Sequence, residues 1–219
     1  MTPDDATPLA DLALLAVDVE TTGLDPTRDQ VLSIGFVPVT GDRVELAGAR
    51  RVVVEHHDPG HAVTVHGLTH DDLASGIPLR EALGMLRDAL DGRVLLAHHA
   101  AFEVAFLRAA YRAAGLEPPD PPAVCTLRLQ RRLQRVAGVS APPPESLRLW
   151  RSRARFGLPV VPVHDALGDA LACAELYLAQ VAELGDGRPL TLRDVRLRHR
   201  SSLRRRWRRL TRALRREAV

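Results

Sequence analysis

From residue 12 the chain reads Leu-Ala-Leu-Leu-Ala-Val-Asp-Val, an apolar run of the kind a buried central strand shows. Thr22-Gly23 and Asp25-Pro26 break it. Val31 to Val39 and Arg43 to Glu55 predict a second and a third strand, joined as a hairpin by Thr40-Gly41-Asp42, the third bending near Gly48. The spacing then turns helical. Leu79, Leu83, Leu86 and Leu90 share one face of a helix over Pro78 to Leu90, with Gly92 just past its end. Val94 to Ala97 predicts a short buried strand. Ala100 to Ala114 predicts a helix with Phe102, Phe106 and Ala109 or Ala110 on one face, stopped by Gly115. Val124 to Leu127 predicts a strand running into a helix toward Arg135. Residues 136 to 144 form a loop ending in three prolines, Ser146 to Phe156 a short helix, and Asp165 to Leu184 a long one. Three strands able to run as a meander, followed by helix and strand units, predict an α/β fold with a sheet of mixed direction and helices on its faces.

At 219 residues and 46% apolar, the chain suits one domain, or one domain with a tail. No apolar stretch approaches the roughly 20 residues that span a bilayer. Met-Thr-Pro-Asp-Asp at the N-terminus lacks the basic and apolar regions of a signal peptide. Cys125 and Cys173 make neither a disulfide framework nor a CxxC site, so a soluble, reduced, cytoplasmic setting is expected. Four Phe, two Trp and two Tyr leave little for a base-stacking platform. All 30 basic residues are Arg, with no Lys and no Asn, a bias that fits a GC-rich genome.

The net charge of +3 conceals two opposite parts. Residues 193–219 hold twelve Arg against Asp194 and Glu217, giving +10, and residues 1–192 hold 18 Arg against 25 acids, giving −7. An acidic body with a strongly basic arm suggests that the arm meets a polyanion.

Asp18 and Glu20 close the first strand and, two residues apart, leave the sheet on one face. A polar strand end facing water would look the same. At the lip of a core strand, however, two close like charges are costly unless a cation joins them, and their oxygens suit Mg²⁺ or Mn²⁺. Glu103 lies in the first turn of a helix directly after a strand, where an acid also complements the helix dipole. His164 and Asp169 would diverge on one helix. With His164 before the first turn, the chain can fold back to bring them together, leaving Asp165 as a cap and His164 as a candidate general base.

These three clusters, in this order and context, resemble the DnaQ-like 3′-to-5′ exonucleases of the DEDDh type, over roughly residues 12 to 184. Asp18-Val19-Glu20-Thr21-Thr22-Gly23-Leu24 resembles the family's first motif. Ala97-His98-His99-Ala100-Ala101-Phe102-Glu103 is similar to the second, and His164-Asp165-Ala166-Leu167-Gly168-Asp169-Ala170 to the third. Val65-His66-Gly67-Leu68-Thr69 is like the segment that cradles the 3′-terminal nucleotide. The resemblance implies an RNase H-like fold with a mixed five-stranded sheet and helices on both faces. It implies two divalent cations, Mg²⁺ or Mn²⁺, held by Asp18, Glu20 and Asp169 with Glu103 completing the second site, and His164 taking a proton from the attacking water. It also implies substrate contacts at Thr21, Gly23, Leu24, His66, Gly67, Leu68, Thr69, His99 and Phe102.

The chain departs from the family at two positions, with Glu103 in place of Asp and His99 in place of Asn. The extra methylene moves a carboxylate by about 1 to 1.5 Å, enough to shift the second cation and favour Mn²⁺. The expected activity is removal of nucleoside 5′-monophosphates from DNA 3′ ends in proofreading or repair, with a polymerase or other partner on a separate chain. Exonuclease action on RNA or short oligoribonucleotides, or a nuclease-like binding module with little turnover, are the alternatives.

Residues 1–185 are expected to form the exonuclease domain and residues 186–219 a basic tail. In the tail Leu203, Trp207, Leu210 and Leu214 share one face of an amphipathic helix, with arginines on the rest. Nucleic acid, a protein surface (its own acidic body included) and an anionic membrane surface are the candidate targets of such a helix. His56, His57 and His61 around Asp58-Pro59-Gly60 read as a solvated loop, and Leu147-Arg148-Leu149-Trp150 as part of a short packing helix.

Overall fold

The computed structural model describes residues 3–58, 67–161 and 164–197. Strand β1 (Ala13–Thr21) lies at the centre of the sheet, antiparallel to β2 (Val31–Thr40). Two further strands are β3 (Arg43–Val44) and β4 (Arg50–Val53), both paired with β2. On the other side β1 runs parallel to β5 (Val94–Ala97), and β5 parallel to β6 (Ala123–Cys125). The helices, in chain order, are α1 (His70–Ala74), α2 (Leu79–Leu90), α3 (Ala100–Ala113), α4 (Thr126–Val136), α5 (Leu149–Arg155), α6 (Ala166–Gly185) and α7 (Leu192–Val195).

The five expected sheet positions are filled, the third by two short strands instead of one bent strand. The cause of the break is Pro38 in β2. Its carbonyl accepts from the Glu45 N–H at 2.9 Å, but its nitrogen has no proton to give the outer strand. The chain turns there through a 3₁₀ helix over Leu46–Gly48, close enough that a Cβ on Gly48 would lie 2.7 Å from Pro38. The expected strand over Val124 to Leu127 ends at Cys125, and α4 starts at once. The expected helix from Ser146 begins as a 3₁₀ turn over Pro144–Leu147 and becomes α-helical only at Leu149.

Side chains of β1 alternate between two cores. Leu15, Val17 and Val19 pack on one face with Leu83 and Leu86 of α2 and Phe106 of α3. Leu14 and Ala16 pack on the other with Leu129 and Leu133 of α4 and Cys173 and Tyr177 of α6. Burial on both faces explains why β1 reads as an apolar run. Asp18 and Glu20 continue the second series, so they leave the sheet toward α6.

The boundary expected after residue 185 falls inside packed structure. Leu190, Leu192 and Val195 are buried in the second core, and the Leu9 and Leu192 N–H groups bond the carbonyls of Leu190 and Thr7. Arg196 pairs with Asp5. Arg196 bridges Val124 in antiparallel sense, and the Leu197 N–H donates to the Ala123 carbonyl at 2.7 Å. At the opposite side of the sheet Ile77 exchanges backbone bonds with Val53 and Glu55 at 2.9 and 2.8 Å. The amphipathic helix expected over Leu203 to Leu214 lies outside the described residues, and so does His61.

Candidate active site

The acids meet at the carboxyl end of β1, the end at which open α/β sheets present their ligands. One carboxylate oxygen from each of Asp18, Glu20 and Asp169 lies within 4.8 Å of the others. Asp169 comes from the first turn of α6, and Gly35 lets that turn approach. Gly35 stands opposite Asp18 in the β1–β2 register, and a Cβ there would lie 2.0 Å from the Ala166 carbonyl oxygen. The helix start therefore rests directly on strand backbone.

Asp165 caps α6 by accepting from the Gly168 N–H at 2.9 Å, and it pairs with Arg51 of β4 at 3.2 Å. His164 precedes this cap with φ of +66°, a conformation rare for a residue with a side chain and concentrated at functional sites. The turn aims its backbone N–H at Asp169 Oδ2, 2.9 Å away, and leaves the imidazole exposed. His164 and Asp169 are thus brought together as expected.

Glu103, in the first turn of α3, is buried, at 4% exposure. Among the described residues, its Oε2 and Asp169 Oδ1 are buried atoms without a hydrogen-bond partner. Burial, then Glu20 and Asp169, push Glu103 well above the usual carboxylate range, against a backbone bond from Val19. Burial, then Glu103, Asp169, Glu20 and Asp165, do the same to Asp18. Glu20 is pushed up to about 7 by burial, Asp169 and Asp165, with Arg51 opposing. Burial raises Asp169 as well, while the His164 N–H opposes it. Clustered hard oxygen donors that resist ionising together, two of them with orphaned oxygens, fit a divalent cation.

The expected substrate residues divide. Leu24 is 83% exposed and Phe102 half-buried, stacked at 6.2 Å on His99 and 4.6 Å from Phe106. Thr21 is buried and turns inward, its hydroxyl donating to the Gly23 carbonyl at 2.6 Å. A Cβ on Gly23 would lie 2.6 Å from the Asp29 carboxylate, so this glycine serves the turn. Gly67 has φ of +66°. The Leu68 side chain is buried with Leu32 and Leu73 and anchors the start of α1 to the core. Thr69 is spent as the cap of α1, exchanging bonds with Asp72 at 2.7 to 3.2 Å. His66 lies outside the described residues.

Four supporting residues were given no role by the sequence: Gly35, Arg51 and Arg153, which lie outside the motifs, and His98, which lies inside the second. Burial pushes His98 down to about 4, so its ring is neutral. Its Nε2–H then donates to the Leu147 carbonyl at 2.9 Å, and Nδ1 accepts from the Thr126 hydroxyl at 2.8 Å. The His98 carbonyl accepts from the Leu127 N–H at 3.1 Å. His98 thereby pins the turn that launches α3 and Glu103. Arg153, 3% exposed, donates to the carbonyls of Ala172 and Pro159 and pairs with Glu175 at 2.7 Å, tying α5 to α6.

An RNase H-like sheet with four carboxylates at the end of its central strand defines the class of DnaQ-like exonucleases. Residues 15–177 match the family model of the RNase_T exonucleases, and the chain belongs to that family. A Mycobacterium tuberculosis protein provisionally named a bifunctional exonuclease/endonuclease is 31% identical over 201 residues, covering 89% of this chain and 30% of that one. The PolC-type DNA polymerase III of Listeria welshimeri is 31% identical over 177 residues, covering 78% and 11%. The DNA polymerase III subunit epsilon of Treponema pallidum is 27% identical over 171 residues, covering 78% and 77%. The chain spans less than a third of the length of the first two relatives. Among solved structures, the nuclease domain of 3′hExo, a DEDDh family member bound to rAMP, superposes with a TM-score of 0.66 at 14% identity over 78% of this chain and 92% of that one. E. coli Exonuclease I with a dT13 oligonucleotide gives 0.67 at 18% over 81% and 43%. No helix among the described residues is long and apolar enough to cross a membrane.

Proposed function

We propose that the protein is a 3′-to-5′ exonuclease that hydrolyses the last phosphodiester bond of DNA and releases nucleoside 5′-monophosphates, in proofreading or repair. The observation that carries this reading is the convergence of Asp18, Glu20 and Asp169 within 4.8 Å, with an exposed His164 folded back beside Asp169. Asp18, Glu20 and Asp169 would hold one divalent cation, Mg²⁺ or Mn²⁺, and Asp18 with Glu103 a second. Such ions supply charge stabilisation and a deprotonated water near neutral pH. His164, which is exposed, would take the proton of the attacking water at its imidazole nitrogen. Leu24, His99 and Phe102 offer apolar and aromatic surface to the terminal nucleoside. DNA is favoured over RNA because several relatives are named as parts of DNA polymerase III. A polymerase on a separate chain is the corresponding partner. The two buried free thiols suit a reduced, cytoplasmic setting.

Purified protein on 5′-labelled single-stranded DNA, duplex DNA and RNA, with Mg²⁺, Mn²⁺ or EDTA, tests the reading. A ladder shortening from the 3′ end of DNA, abolished by EDTA, is expected. Faster shortening of RNA would shift the substrate, and no hydrolysis under any condition would leave a binding module.

A further inference from the structure

Helix α4 presents two unlike sides. Leu129, Gln130 and Leu133 are buried, and Arg132 donates to the Asp194 carbonyl at 2.7 Å. Arg128, Arg131 and Arg135 are exposed. At 100° per residue they lie within about 60° of one another and span about 10 Å along the axis. Among the described residues none of the three forms an ion pair with a carboxylate, whereas Arg51, Arg148, Arg153 and Arg155 each do. Three uncompensated cations on one face contrast with a body of net charge −7 over residues 1–192.

This face adjoins the acidic site. The Leu127 N–H at the start of α4 bonds the His98 carbonyl, and the next residue, His99, stacks on Phe102 one residue before Glu103. The charge of Arg131 reaches the His99 ring and, second to burial, holds its pKa down.

We propose that Arg128, Arg131 and Arg135 form the track for the phosphates of the single strand upstream of its 3′ end. The inference rests on the exonuclease reading. A polyanion approaching four carboxylates is repelled by most of the body, and a cationic face beside the site offsets that repulsion while leaving the bases unread. Such contacts act on every sequence alike and weaken with salt.

Anisotropy of a labelled (dT)12 strand in EDTA, over a salt series, tests the track on the full chain. R128Q/R131Q/R135Q should lower the slope of log K against log salt by about 2, at about 0.7 per phosphate contact. The charge-matched R43Q/R80Q/R112Q, exposed arginines outside both the track and the basic arm, should leave the slope unchanged. An unaltered slope in the first variant, or an equal fall in both, overturns the proposal. If the triple variant melts early, R131Q alone should still lower the slope by about 0.7. Hydrolysis is scored separately on wild-type protein with Mg²⁺ or Mn²⁺. A wild type that binds through these arginines yet cleaves nothing refutes the exonuclease reading alone, and one that cleaves with an unaltered slope refutes the track alone.

Discussion

Gly35→Ala is the sharpest test of how the site is built. The residue touches no substrate and no proposed metal ligand except by lying opposite Asp18 in the sheet. A methyl group there would sit 2.0 Å from the Ala166 carbonyl oxygen and 2.3 Å from the Leu167 nitrogen. Ordinary contact needs about 3.5 Å, so the start of α6 must retreat by about 1.5 Å. Both neighbours are backbone, and no side chain can rotate away. Asp169, three residues further on, and the His164 N–H bonded to it move with the helix. Misplacement of about 1 Å in a reacting geometry costs on the order of 10²-fold, and that is the expected loss in exonuclease rate. Overpacking adds about 1–3 kcal/mol of destabilisation. For a chain of this size that is roughly 2–12 °C in Tm. Exonuclease rate, Mn²⁺ titration calorimetry and thermal melting on one preparation separate the effects. Wild-type rate and Mn²⁺ affinity together with a lowered Tm would refute the claim that Gly35 sets the position of Asp169.

Four further outcomes are expected. Asp18→Ala should abolish hydrolysis yet raise the melting temperature in EDTA, because burial and neighbouring acids disfavour its charge; an unchanged rate would remove Asp18 from the metal site. His164→Ala should slow turnover by roughly 10²- to 10⁴-fold with little change in binding, and full recovery of the plateau rate at high pH would show that water needs no such base. Sequence reasoning expects Glu103→Asp to restore Mg²⁺-dependent activity, but the Val19 bond to Glu103 reverses that expectation: drawing the carboxylate back by about 1 Å should lower the rate, about 10- to 100-fold, and a gain would show that Glu is the misfit. Glu20 is raised from 4.5 to about 7, so the folded protein binds its proton more tightly than the unfolded chain. Stability from this group is complete below about pH 4.5 and is lost as pH rises through about 7; melting in EDTA should decline across that window, less so in Glu20→Gln, and a flat profile in wild type would contradict it.

The acids were readable in the sequence because two local rules expose them. Alternation along β1 puts Asp18 and Glu20 on one face, and the residue before a helix cap can turn back onto its first turn, as His164 does. Gly35 was not readable. A glycine in a strand has many uses, and this one is required only because α6, more than 120 residues later in the chain, lands upon it. Arg153 and His98 were hidden for a related reason, since their partners Pro159, Ala172, Leu147 and Thr126 are carbonyls and a hydroxyl contributed by other segments. The split third strand followed from Pro38 on the neighbouring strand, and local apolar spacing does not report on a partner's missing N–H.

The short backbone pairings at Arg196–Leu197 and at Ile77 matter beyond the path of the chain. Each lies along an outermost strand, where unpaired N–H and C=O groups would otherwise invite a second molecule to extend the sheet. Each rim therefore carries a short pairing from the protein's own backbone, contributed by a segment remote from the chemistry. A chain cut after Gly187 would lose the strip over β6 along with the packing of Leu190, Leu192 and Val195, so self-association would mask whatever the arginines beyond it do. A cut after Leu197 keeps that strip in place and separates the basic segment from the edge it follows.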